Sequence, residues 1–91
     1  MTDVVCIGRN IKNTPMEEVT WKSFIDELYS QFVDVYFYGE GKGVYKEGLE
    51  DSYCIVGVLN TETNLADLAK KYKQESIALV KSKTKFIEAS K

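Results

Sequence analysis

Apolar positions along the chain fall into two periods. Val4-Val5-Cys6-Ile7 is a continuous apolar run, the pattern of a central strand buried on both faces, and it ends at Gly8-Arg9-Asn10. After a connector over Ile11 to Asn13, Thr14-Pro15-Met16-Glu17 reads as a capping box with proline at the first helical position. Trp21, Phe24, Ile25, Leu28 and Phe32 follow at steps of three, four and seven, which predicts an amphipathic helix with Trp21 in the core. Val33 to Tyr38 is rich in β-formers, and Gly39-Glu40-Gly41-Lys42-Gly43 interrupts it as a glycine hairpin or bulge. Val44-Tyr45-Lys46 reads as a short return strand and residues 47–51 as an acidic turn; Ser52 to Leu59 is the clearest strand. Thr63 or Asn64 can cap a second helix, whose face is Leu65, Leu68, Ala69 and Tyr72. Lys70, Lys71 and Lys73 crowd its C-terminal end, where cations oppose the backbone dipole. A polar hinge without glycine, Gln74-Glu75-Ser76, leads into a last strand from Ser76 to about Lys81, and Phe86-Ile87 adds an apolar patch or extends the edge.

The order β-α-β-(β)-β-α-β predicts an α+β fold: a ferredoxin-like β-α-β-β-α-β sandwich with an antiparallel sheet, two helices on one face and an extra glycine hairpin. The other face of the expected five-strand sheet must be wet or covered by a partner. Alternation alone places Tyr36 and Tyr38 on one face and Val35 and Phe37 on the other.

Composition narrows the function classes. The 91 residues form one domain, 1–91, with room for one modest core. The net charge of -2 argues against a nucleic-acid binder working through overall charge. Residues 1–69 carry five basic and twelve acidic side chains, whereas residues 70–91 carry seven lysines and two glutamates. That basic end could meet an acidic partner or a phosphate, or its lysines could protect an edge strand. No histidine is present, which removes the commonest general base and metal ligand. Cys6 and Cys54 lie in apolar runs and read as buried free thiols. With no stretch resembling a signal peptide or a membrane span, a cytoplasmic protein with no membrane partner is expected.

The polar landmarks, in order, are Gly8-Arg9, Trp21 to Phe24, Gly39 to Gly43, Glu50-Asp51-Ser52 and Tyr72-Lys73-Gln74-Glu75-Ser76. This series resembles a family of small bacterial proteins of unknown function, with Gly-Arg, Trp-x-x-Phe, a glycine-bearing hairpin, Glu-x-Ser and aromatic-x-Gln-Glu-Ser. The resemblance covers most of the chain and implies the fold; it implies no activity.

Topology brings several polar residues to the end of the sheet where the first strand finishes. The candidate ligand-binding set is Arg9, Asn10, Glu50, Ser52, Gln74, Glu75 and Ser76. An Arg9–Glu75 ion pair with Glu50 or Ser52 beside it is expected, since arginine takes a carboxylate bidentately. Tyr36, Tyr38 and Phe86 are the candidate oligomer or partner surface. No catalytic residue, metal site or cofactor is expected. The favoured reading is a non-enzymatic binding module acting through the open sheet face as a homo-oligomer. The alternatives are a small inhibitor of the kind mobile elements encode, binding a host protein or a small anion, and a small enzyme with an arginine–carboxylate site.

Overall fold

The computed structural model describes residues 1–45 and 48–89. In chain order the elements are β1 (Thr2–Gly8), β2 (Asn10–Ile11), β3 (Thr14–Pro15), α1 (Glu18–Ser30), β4 (Phe32–Tyr45), β5 (Gly48–Leu59), α2 (Thr63–Lys71) and β6 (Ala78–Ser82). The protein is α+β. Four long strands form one antiparallel sheet in the order β4-β5-β1-β6, and β2 and β3 form a separate two-stranded ladder. Among the described residues the sheet therefore has four strands, not the five expected. No helix among the described residues is long and apolar enough to cross a membrane.

Both helices bury their apolar stripes on one face of this sheet. Trp21, Phe24 and Leu28 from α1 meet Leu65 and Leu68 from α2, Tyr72 just after it, Val5 and Ile7 from β1, and Tyr53, Ile55 and Leu59 from β5. The helical period of three and four and the strand period of two thus converge on one core.

The ends of the helices differ from the expected caps. Thr14 and Pro15 are extended in β3, held by the pairing of Asn10 with Pro15, so no capping box forms. Glu17 is the N-cap of α1, without a side-chain cap bond. At α2 the N-cap is Glu62, and it is the Thr61 hydroxyl that accepts from the Thr63 N–H at 3.4 Å. The hinge after α2 closes without glycine. Gln74 N–H donates to the Ala69 carbonyl at 2.8 Å and Lys73 N–H to the Lys70 carbonyl at 3.2 Å, while Lys73 takes a φ of 57°. This is the paired helix-ending pattern usually built on glycine. The last strand begins at Ala78, two residues later than expected, and Ile77 packs against the core before it.

β4 runs unbroken through Gly39, Gly41 and Gly43 to Tyr45, in register with β5 from Lys42↔Asp51 to Tyr45↔Gly48. The glycine segment is strand, not a hairpin turn, and Glu50 and Asp51 sit inside β5. The expected return strand and acidic turn fall partly on residues 46 and 47, outside the described residues. Irregularities sit at the start of β4, between Phe32 and Asp34 and between Val35 and Phe37. The second shifts the alternation. Val35 opposite Gly57 and Tyr38 opposite Ile55 share the helix-bearing face, whereas Phe37 opposite Val56 lies on the other. The expected grouping of Tyr36 with Tyr38, and of Val35 with Phe37, fails at this bulge, which adds one residue to β4 alone. Gly57 makes the bulge possible: a Cβ there would overlap the Asp34 carbonyl.

Cys6 and Cys54 face each other across β1 and β5 and form a disulfide. They are not free thiols. The two apolar runs that contain them are antiparallel neighbours, which brings the sulfurs onto the same face at the same level. The inference of a reducing compartment from free thiols therefore loses its ground.

Candidate functional site

The candidate residues at the end of β1 divide between two clefts and a seam. β2 and β3 fold the chain back so that Met16 returns to Arg9, whose carbonyl accepts the Met16 N–H at 3.0 Å. Arg9 Nε donates to the Met16 carbonyl at 2.8 Å, and Nη1 lies 3.3 Å from Glu18 Oε2 and 3.8 Å from Asp51 Oδ2. The Arg9 side chain is 19% exposed. Its guanidinium thus ties β1, the start of α1 and β5 together. Glu75 is not its partner: no Arg9–Glu75 ion pair occurs among the described residues. Glu18 carries no signal of this role in the sequence, because the β2–β3 hairpin that brings it close leaves no strong pattern.

Arg9, Glu18, Trp21, Glu40, Lys42 and Ser52 line a cleft of about 420 Å³ together with Gly41 and Asp51. Lys42 Nζ pairs with Asp51 Oδ1. That hydrogen bond, the Lys42 charge and then the Arg9 charge hold the Asp51 carboxyl below its usual range. Two cations face three carboxylates, so an anion entering this cleft meets no uncommitted positive group.

The seam lies beside it. Glu50 lies over Gly8, where a Cβ would collide with its carboxylate, and Glu50 Oε2 accepts the Asn10 N–H at 2.8 Å. The Asn10 carbonyl in turn accepts from Gln74 Nε2 at 3.1 Å, which fastens the hinge to β2. Gln74, Glu75 and Ser76 line a second groove of about 530 Å³, floored by Leu65, Ala69, Ile77 and Leu79 between α2 and β6. Arg9 and Ser52 thus share one cleft, the three hinge residues share another, and Asn10 and Glu50 join them. Among the described residues no group of three or more His, Cys, Asp or Glu side chains could hold a metal ion.

The helix-free face of the sheet is a separate feature. Across the four strands its rows are Phe37, Val56, Val4 and Val80, then Gly39, Cys54, Cys6 and Ala78. Phe37 is 58% exposed and Val80 55%. After β6 the chain crosses this face. The Thr84 hydroxyl meets that of Thr2 on β1, and the Phe86 ring stands 6.3 Å from the rings of Tyr36 and Phe37 on β4. Phe86 remains 68% exposed. Of the three candidate surface residues, Tyr36 and Phe86 meet here. Tyr38 lies on the opposite face, edge-on to Tyr29 and stacked on Tyr53. Val4, Val56 and Val80 were not singled out from the sequence, although the continuous apolar runs of β1 and β5 signal that both faces of those strands are apolar.

Compared with protein families, with curated proteins and with solved structures, the chain matches none.

Proposed function

We propose that the protein is a non-enzymatic binding module that works as a homo-oligomer and presents the helix-free face of its sheet to a protein partner. The observation that carries the reading is the apolar row Phe37–Val56–Val4–Val80, which no helix among the described residues covers and which the tail over residues 83–89 leaves partly open. Exposed apolar patches of this kind on small proteins mark interaction sites. We read the frame as ferredoxin-like, on the order β4-β5-β1-β6 of the long strands with both helices on one side. The first cleft favours structure over chemistry, because Arg9 and Lys42 are each matched by carboxylates.

Replacing Phe37 and Val80 together by serine tests this. Wild-type protein should bind a fluorescent apolar probe and retain a partner on affinity purification from its native source. The variant should lose both with little change in melting temperature. A variant that keeps the same probe binding and the same retained partner would contradict the reading.

A further inference from the structure

β4 is one edge of the sheet and is 14 residues long, whereas β6 at the other edge has five. An edge strand invites pairing unless bulges, proline or charge block it. The bulges of β4 lie near its start. Beyond them, Tyr38 to Val44 keeps regular register with β5 and contains no proline.

Read from its centre, this segment is self-complementary in the antiparallel sense. A two-fold axis through Gly41 sets Glu40 against Lys42 of a second copy, Gly39 against Gly43, and Tyr38 against Val44, each twice. Centring on Glu40 or Lys42 instead would oppose like charges. Glu40 makes no ion pair among the described residues, and Tyr38 and Val44 are 63% and 78% exposed. Lys42 is bound to Asp51 within its own chain, yet its side chain is 63% exposed, and an ammonium has three donors. The residues to be paired share the helix-bearing face, being opposite Ile55, Tyr53, Asp51 and Leu49, and the three glycines share the other. The segment therefore lacks a charge mismatch, a bulge and a bulky obstacle at once.

We infer that two copies associate by antiparallel pairing of Tyr38–Val44 along β4, with Gly41 at the two-fold axis. The inference rests on the homo-oligomer reading above and names its interface. Closed two-fold pairing uses the same surface on both copies. It joins the sheets into one of eight strands, with both helix layers on the same side. The two helix-free faces then become one continuous surface, which doubles the apolar area shown to a partner.

Charge exchange tests the pairing, read as the dissociation constant from sedimentation equilibrium with melting temperature as the folding control. E40K alone and K42E alone each place like charges opposite one another twice. Each should weaken self-association by roughly tenfold or more. An equimolar mixture of E40K and K42E restores opposite charges at both positions and should dimerise as wild type does. Wild-type protein that does not self-associate, single variants that dimerise normally, or a mixture no tighter than its parts would each overturn the inference. Should K42E fail to fold, Gly41→Cys provides a second reading, since an added Cβ there meets only the Ser52 hydroxyl at 3.5 Å. Oxidation should then give a covalent dimer, and a monomer under the same conditions would contradict the pairing. Val80→Asp separates this inference from the functional reading. The dimer should survive it, whereas loss of the dimer in Val80→Asp with E40K unaffected would move the interface to the open face.

Discussion

The Tyr72 hydroxyl donates a hydrogen bond to Glu27 Oε2 while its ring stacks on Phe24, with centroids 4.4 Å apart. One side chain thus fastens the end of α2 to α1, and Lys71 Nζ, 2.6 Å from Glu27 Oε1, completes the join. Burial, and then the Glu27 carboxylate, push the Tyr72 phenol up to about 12 from its usual 10. Because the folded-state value lies above the unfolded one, this contribution is complete below about pH 10 and is lost as pH rises through about 12. Phenolate absorbance in an alkaline titration should show a step near pH 12 that Tyr72→Phe removes, while the late ionisation of Tyr53, which burial also raises, should remain. The same substitution should cost about 1 kcal/mol in urea unfolding.

Glu27 shows the opposite dependence. The hydrogen bonds from Lys71, first, and from Tyr72 hold its carboxyl below the usual range. Its stabilising effect is present above the ordinary glutamate pKa and is lost as pH falls through the depressed folded value. Glu27→Gln should therefore lower stability at neutral pH and flatten the acid side of a stability profile measured by urea midpoints.

Asp3 is a buried carboxylate at the far end of the sheet. Its Oδ2 accepts the Leu59 N–H at 2.9 Å, and Lys81 Nζ lies 3.4 Å from Oδ1 and 2.9 Å from Glu62. Asp3→Ala leaves a buried N–H without a partner and should cost about 1–3 kcal/mol. Asp3→Asn keeps an acceptor and should cost less. Equal losses in the two variants would show that the charge, not the acceptor, matters.

These contacts show where sequence pattern is informative. Trp21, Phe24 and Leu28 on one helix face are legible because burial follows the helical period, whereas the continuous run Val4 to Ile7 marks a central strand without showing that Val5 and Ile7 are the pair facing the helices. Asp3 gives no such signal, since a carboxylate two residues from the start of the chain reads as solvated. The Val35–Phe37 bulge defeats alternation because an added residue on one strand is set by the partner strand, here by the space at Gly57. The run Gly39 to Gly43 reads as a break by propensity, yet cross-strand hydrogen bonding to β5 overrides it. The Cys6–Cys54 bond depends on which strands pair and in what register, which neither run shows alone.

Gly57 and Gly39 offer a direct contrast. A Cβ at Gly57 would overlap the backbone of Asp34, whereas one at Gly39 would meet nothing within 4 Å. Gly57→Ala should destabilise by roughly 1–3 kcal/mol, because backbone must move. Gly39→Ala should leave the urea midpoint close to wild type. A tolerated Gly57→Ala would count against the bulge.

The disulfide closes a separation of 48 residues. A bridge over such a loop restricts the unfolded chain by about 4 kcal/mol in the chain-entropy treatment. Cys6→Ser with Cys54→Ser should lower the melting temperature, and a reducing agent should lower that of wild type but not of the double variant.

The reading of an oligomeric binding module is tested most directly by the mass of the purified wild-type protein in solution. Size-exclusion chromatography with light scattering, across rising concentration, should give twice the 10.4 kDa chain mass or more. A single species of 10.4 kDa that persists at high concentration would contradict it.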